Sequence, residues 1–176
     1  CPSFVTLSGA TPRRLERDGA TSHDPAAGLP LPVPLALERP YGILVTGVGG
    51  TGVLTLGALL GMAAHLEGRG CSVLDFTGMA QKNGAVTSHI RIARQPSELN
   101  AVRLAQGDAD VVLACDALVA AGESVLLRCN PGVTRVVVNR HLQPTAAFVA
   151  DNNVDLQSEQ IEHAIESVCG ADRVAY

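Results

Sequence analysis

Apolar and polar positions alternate between two rhythms along the chain, and the change of rhythm marks its elements. Ile43-Leu44-Val45-Thr46 is a short apolar run that reads as a buried strand. It ends in the glycine cluster Gly47-Val48-Gly49-Gly50-Thr51-Gly52. From about Thr51 to Gly68 the residues Leu56, Leu59, Leu60, Ala63 and Leu66 recur at helical spacing, and the glycines at 68 and 70 close the helix. Cys71–Phe76 predicts a second strand. Val86–Ala93 alternates, with Val86, Ser88, Ile90 and Ile92 on one face and Thr87, His89 and Arg91 on the other, which predicts a half-exposed strand.

The rhythm continues to the end of the chain. Leu99–Gln106 predicts a short helix, Ala109–Cys115 a buried strand, and Asp116 caps a helix running to about Cys129. Asn130-Pro131-Gly132 is a turn before a strand at Thr134–Asn139. Phe148–Ala150 suggests a short strand, Ser158–Cys169 an amphipathic helix, and Arg173–Tyr176 a last strand. Strands alternating with helices predict an α/β fold: a Rossmann-like three-layer sandwich with a mostly parallel sheet.

Residues 1–40 break that pattern. They hold seven of the ten prolines, and Leu29-Pro30-Leu31-Pro32-Val33-Pro34-Leu35 suits a polyproline II stretch. This irregular segment reads as a semi-rigid linker, and the domain proper as residues 41–176. Its arginines and acids balance, so the formal net charge of −4 falls on the domain. With 13 Lys+Arg against 17 Asp+Glu, a nucleic-acid footprint is not expected. The longest apolar stretch, Val53–Leu66, is shorter than the roughly 20 residues of a membrane span. A cytoplasmic location is the expectation.

The glycine cluster is the first candidate for chemistry. Gly47, Gly49 and Gly52 form G-x-G-x-x-G between a strand and a helix, where glycines let backbone approach a ligand and the helix start presents free N–H groups to an anion. Asp75, near the end of the second strand, stands where a ribose-binding acid belongs, or anchors the following loop. That loop, Thr77–Gly84, carries Lys82, the single lysine beside twelve arginines. Lys82, His89 and Arg91 could together form a cationic rim. The five cysteines lack C-x-x-C spacing, Cys71 and Cys115 read as core residues, and Asp108 and Asp110 as solvated turn residues. No catalytic set is evident.

The two motifs in this order, Gly47–Leu54 and then Phe76-Thr77-Gly78-Met79-Ala80-Gln81-Lys82-Asn83-Gly84-Ala85-Val86-Thr87-Ser88-His89-Ile90-Arg91, resemble the gamma component of 2-oxoacid:ferredoxin oxidoreductases. Cys1–Thr6 resembles the tail of the thiamine domain in fused indolepyruvate ferredoxin oxidoreductases. The chain accordingly reads as a segment cut at both ends, beginning within the junction between those domains. The resemblance implies oxidative decarboxylation of a 2-oxoacid to acyl-CoA with electrons passed to ferredoxin. Thiamine diphosphate and 4Fe-4S clusters would sit in neighbouring domains of a homo-oligomeric enzyme. It also implies that this segment is inactive alone, covers the thiamine site and serves coenzyme A. Carried onto this chain, Gly47, Gly49, Gly50, Thr51 and Gly52 would approach a phosphate-bearing group. Thr77, Gly78, Met79, Gln81, Lys82 and Asn83 would line the interface with the active centre, with Arg91 beside them. The alternatives are a free-standing NAD(P)-dependent Rossmann oxidoreductase and, more remotely, an adenylating enzyme with a similar glycine loop.

Overall fold

A computed structural model describes residues 28–78, 84–142 and 158–176. The chain divides after Leu35. Gly28–Leu35, the described part of the first unit, carries no helix or strand, and its apolar side chains are exposed. The proposed strand at Phe148–Ala150 and the residues Met79, Gln81, Lys82 and Asn83 lie outside the described residues.

The second unit is built on a six-stranded sheet in the order β2-β3-β1-β4-β5-β6. The strands are β1 (Tyr41–Val48), β2 (Gly70–Thr77), β3 (Ala85–Ala93), β4 (Val111–Ala114), β5 (Arg135–Val138) and β6 (Val174–Ala175). Strands β1, β4, β5 and β6 pair in parallel. β3 is antiparallel to both β1 and β2, so β1 and β2 run the same way with β3 inserted between them. Helix α1 (Val53–Leu66) covers one face, packing on β1, β2 and β3. The other face carries α2 (Ala117–Ala120), α3 (Glu123–Leu126) and α4 (Ser158–Cys169). This is the expected three-layer α/β sandwich with a mostly parallel sheet.

Alternation along the strands divides the core in two. Leu44, Val112, Ala114, Val136 and Val138 meet Ala117, Ala120, Val125, Ile161 and Ile165 on the α2–α4 face. Ile43, Val45, Val86 and Ile90 meet Val53 on the α1 face. The contact side of α1 is a stripe of small residues. Val53, Gly57 and Ala64 are its buried positions, and a Cβ on Gly57 would lie 2.5 Å from Ser88 Oγ. The helix therefore sits close to the sheet; of the leucines that announce it in the sequence, Leu60 packs on the core while Leu56, Leu59 and Leu66 are exposed. Leu59, Met62 and Leu66 are 61%, 57% and 78% exposed.

Two predicted helices are corrected. Residues 99–106 are irregular, following a single 3-10 turn at Pro96–Glu98. Backbone groups here and just beyond find distant partners instead: Leu104 N–H donates to His89 Nδ1 at 3.1 Å, and the next glycine, Gly107, donates its N–H to the Leu127 carbonyl at 3.0 Å. An eight-residue segment is too short to form a helix against such competition. The helix capped by Asp116, whose side chain accepts from Val119 N–H at 3.0 Å, ends after Ala120. Gly122 takes an extended ψ of 140° and starts α3, so one long helix becomes two short ones.

Candidate functional site

The glycine cluster forms the connection between β1 and α1, at the C-terminal end of β1 where ligands of parallel sheets collect. Each glycine has a distinct duty. A Cβ on Gly47 would lie 2.5 Å from Thr51 Oγ1 and 2.9 Å from Cys115 Cβ, so only hydrogen fits there. Gly50 and Gly52 have φ of 95° and 89° and open space beside them. Thr51 closes the turn from both its atoms: its N–H donates to the Val48 carbonyl at 3.1 Å and its hydroxyl to the same oxygen at 2.7 Å.

Beside this turn lies a pocket of about 270 Å³ lined by Gly49, Gly50, Gly52, Leu54, Thr55 and Val86, among others. Gly52 is the N-cap of α1 and contributes no side chain, and the first helical bond runs from Leu56 N–H to the Gly52 carbonyl at 2.9 Å. The amides of Val53, Leu54 and Thr55 thus have no intrahelical acceptor, and the positive end of the helix dipole opens on the pocket. The arrangement fits a phosphate-bearing group approached by backbone.

The second motif reaches this turn where β1 pairs with β3, and past the ladder's end Gly49 N–H donates to the Gly84 carbonyl at 2.9 Å. Thr77 at the end of β2 and Gly78 beyond it are exposed at the start of the same loop. The first and second motifs, separate in the sequence, are therefore neighbours in space.

The cationic rim does not assemble as expected. Arg91 pairs in register with Gly42, whereas Ala85 pairs with Val48, which puts Arg91 six residues, roughly 20 Å, down the sheet from the glycine turn. Its guanidinium is bonded to the Asp108 carboxylate. His89 is 2% exposed, because residues 99–106 fold over it. Burial, and then Arg128, Arg103 and Arg91, push its pKa down to about 4. The face of β3 that looked open from its alternation is closed by a segment remote in sequence.

The acids at the turn before β4 are likewise not free turn residues: both are engaged by arginines, and Asp110 is buried while Asp108 is half-buried. Asp110 is buried; it accepts from Gly42 N–H at 2.8 Å and binds Arg39 at 2.5 and 3.1 Å. That pairing holds the Arg39 guanidinium above its usual value, mainly through the hydrogen bond. Asp108 takes Arg91 and the Ala105 N–H, the latter at 3.3 Å. Both acids are braces at the base of the sheet. Asp75 is exposed on β2, with β3 between it and β1. The insertion sets it two strand spacings from the glycine turn, about 9–10 Å, where a direct neighbour in a dinucleotide fold would stand at one. Cys71 and Cys115 are half-buried, and burial raises both thiols, in keeping with a packing role. Among the described residues no group of three His, Cys, Asp or Glu could hold a metal ion. No described helix is long and apolar enough to cross a membrane.

Residues 42–172 match the family model described as pyruvate ferredoxin/flavodoxin oxidoreductase. The chain belongs to this family. Indolepyruvate oxidoreductase subunit IorB of Thermococcus kodakarensis is 37% identical over 75 residues, 43% of this chain and 36% of that protein. IorB of Archaeoglobus fulgidus is 34% identical over 97 residues, 55% of this chain and 45% of that protein. The chain thus spans less than half the length of these relatives. Among solved structures, the fold resembles part of the 2-oxoglutarate:ferredoxin oxidoreductase of Magnetococcus marinus, solved with 2-oxoglutarate, coenzyme A and succinyl-CoA bound. There the TM-score is 0.50 and the identity 19%, over 62% of this chain and 18% of that chain. The gamma-type resemblance read from the two motifs is thereby established at the level of the family, and a free-standing NAD(P) enzyme is not favoured.

Proposed function

We propose that this domain is the coenzyme-binding and docking part of a 2-oxoacid:ferredoxin oxidoreductase of the indolepyruvate type. The observation that carries the reading is the junction of the two family motifs, where Gly49 meets Gly84 at the mouth of the β1–α1 pocket. A phosphate of coenzyme A is held there by the backbone of Gly49, Gly50 and Gly52 and by the start of α1. Lys82, Met79, Gln81 and Asn83, with Thr77 and Gly78, line the approach to the thiamine centre of a neighbouring domain. Thiamine diphosphate supplies the decarboxylation chemistry, 4Fe-4S clusters in further domains take the electrons, and ferredoxin receives them. The exposed leucine face of α1 supports the docking part of this reading, since an apolar outer stripe on a short domain suits a covered surface. The full enzyme is a homo-oligomer in this reading, and the domain alone has no turnover.

The test is coenzyme A titration against Thr55→Glu and Lys82→Ala. Thr55 is the third residue of α1, where an acid suits the helix dipole, so Thr55→Glu keeps or slightly raises stability. Its charge at the pocket weakens coenzyme A by about tenfold. Lys82→Ala weakens it as well. Unchanged affinity in Thr55→Glu refutes the site, and unchanged affinity in Lys82→Ala removes the lysine from it.

A further inference from the structure

A second pocket lies on the opposite face of the sheet. β3 alternates, so Val86 faces the glycine pocket while Thr87 and His89 face away from it, toward Phe76, Arg103, Ser124 and Arg128. Together these enclose about 210 Å³. That is below the size of pockets that take whole drug-sized ligands, and suits a charged end group.

The lining is cationic, with donors left over. The Arg103 guanidinium sits 5.1 Å from the centroid of the Phe76 ring and makes no ion pair among the described residues. Arg128 gives one terminal N–H to the Ser124 carbonyl, and its Nε is buried with no hydrogen-bond partner. His89 accepts the Leu104 amide at Nδ1, so the neutral ring carries its proton on Nε2 as a donor. Among the described residues no carboxylate lines the cavity. The nearby acids Asp108 and Asp110 are engaged by Arg91 and Arg39 at the base of the sheet. Burial first, and then the charge of Arg103, lower the Arg128 pKa.

Two guanidinium groups converging without a counter-charge, one with an orphaned buried N–H, form an incomplete ion pair. A planar guanidinium fork matches phosphate and carboxylate oxygens, and those are the groups that complete it. We propose that the cavity between Phe76, His89, Arg103 and Arg128 is an oxyanion site that takes the phosphate or carboxylate end of a small molecule. The ring of Phe76 holds Arg103 in place, and the neutral imidazole adds a hydrogen bond without adding charge. The site lies across the sheet from the glycine pocket and stands independently of the coenzyme A reading.

The experiment is a nuclear magnetic resonance titration of the protein with inorganic phosphate and, separately, with acetate, at constant ionic strength set by chloride. The Leu104 amide and the His89 ring are the reporters. A saturable shift with either anion is expected; the stronger of the two tells a phosphate site from a carboxylate site. Arg103→Gln, an exposed side chain whose loss leaves the core intact, should weaken that anion at least tenfold, and Arg128→Gln should do the same. Thr55→Glu should leave these shifts unchanged, which separates failure here from failure at the glycine turn. Absence of a saturable shift with both anions overturns the proposal. So does an affinity in Arg103→Gln equal to that of the wild type, even where Arg128→Gln does not fold.

Discussion

Acidification should unfold this domain through His89, and the size of the effect follows from its surroundings. The imidazole is 2% exposed, accepts a backbone amide, and faces Arg91, Arg103 and Arg128 with no carboxylate against it among the described residues. Its pKa is about 4 in the folded protein against an ordinary 6.5. Above pH 6.5 the ring is neutral in both states and the pH has no leverage through it. Between 6.5 and 4 the unfolded chain binds a proton that the folded one refuses, so stability falls as the pH drops. Across that window the loss amounts to roughly 3 kcal/mol, at about 1.4 kcal/mol per unit. Urea unfolding at pH 7 and at pH 4.5, in amine buffers free of phosphate and carboxylate, measures it. His89→Gln keeps an acceptor for Leu104 without a titrating ring, and should lose less stability on acidification by most of that amount. Equal losses in the two proteins would refute the reasoning.

The remaining expectations concern stability. Gly57→Ala ordinarily gains up to about 1 kcal/mol inside a helix, but here the new methyl meets Ser88 Oγ at 2.5 Å and Ser88 Cβ at 3.3 Å. A net loss of roughly 1–3 kcal/mol is expected, read as a lower urea midpoint; a gain would mean that α1 is free to move off the sheet. Asp110→Ala strands the Gly42 amide and the Arg39 guanidinium, and should cost about 2 kcal/mol with faster amide exchange at the start of β1. Unaltered exchange at Gly42 would show that the brace is dispensable.

The sequence made some elements plain and hid others for physical reasons. Strand β1, helix α4 and the antiparallel strand β3 carry their own period, and all three lie where that period puts them. Helix α1 was legible as a helix, yet Leu56, Leu59 and Leu66 advertise the wrong face and only Leu60 the right one, because glycine and alanine leave little mark in a hydrophobic pattern while allowing close approach to the sheet. The burial of His89 depends on residues 99–106, where Leu104 bonds the ring from fifteen positions away, and no local pattern records that. Asp108 and Asp110 resembled turn residues for the same reason: their arginines, Arg91 and Arg39, are distant in the chain. At the site, the glycine turn was readable in full, since backbone conformation is written in the glycines themselves. The second pocket was not, because Phe76, Arg103 and Arg128 come from three separate elements.

The insertion of β3 between β1 and β2 gives a single strand custody of both cavities. Its even-numbered residues from Val86 serve one side and its odd-numbered residues from Thr87 the other. A one-residue deletion inside this strand would exchange the two sets, putting a valine among the arginines and an imidazole beside α1. Changes of length therefore have somewhere harmless to go only outside Ala85–Ala93. The strand can be inherited or transplanted only as a block, in frame with Gly84, and a graft of either cavity onto another scaffold brings the other with it.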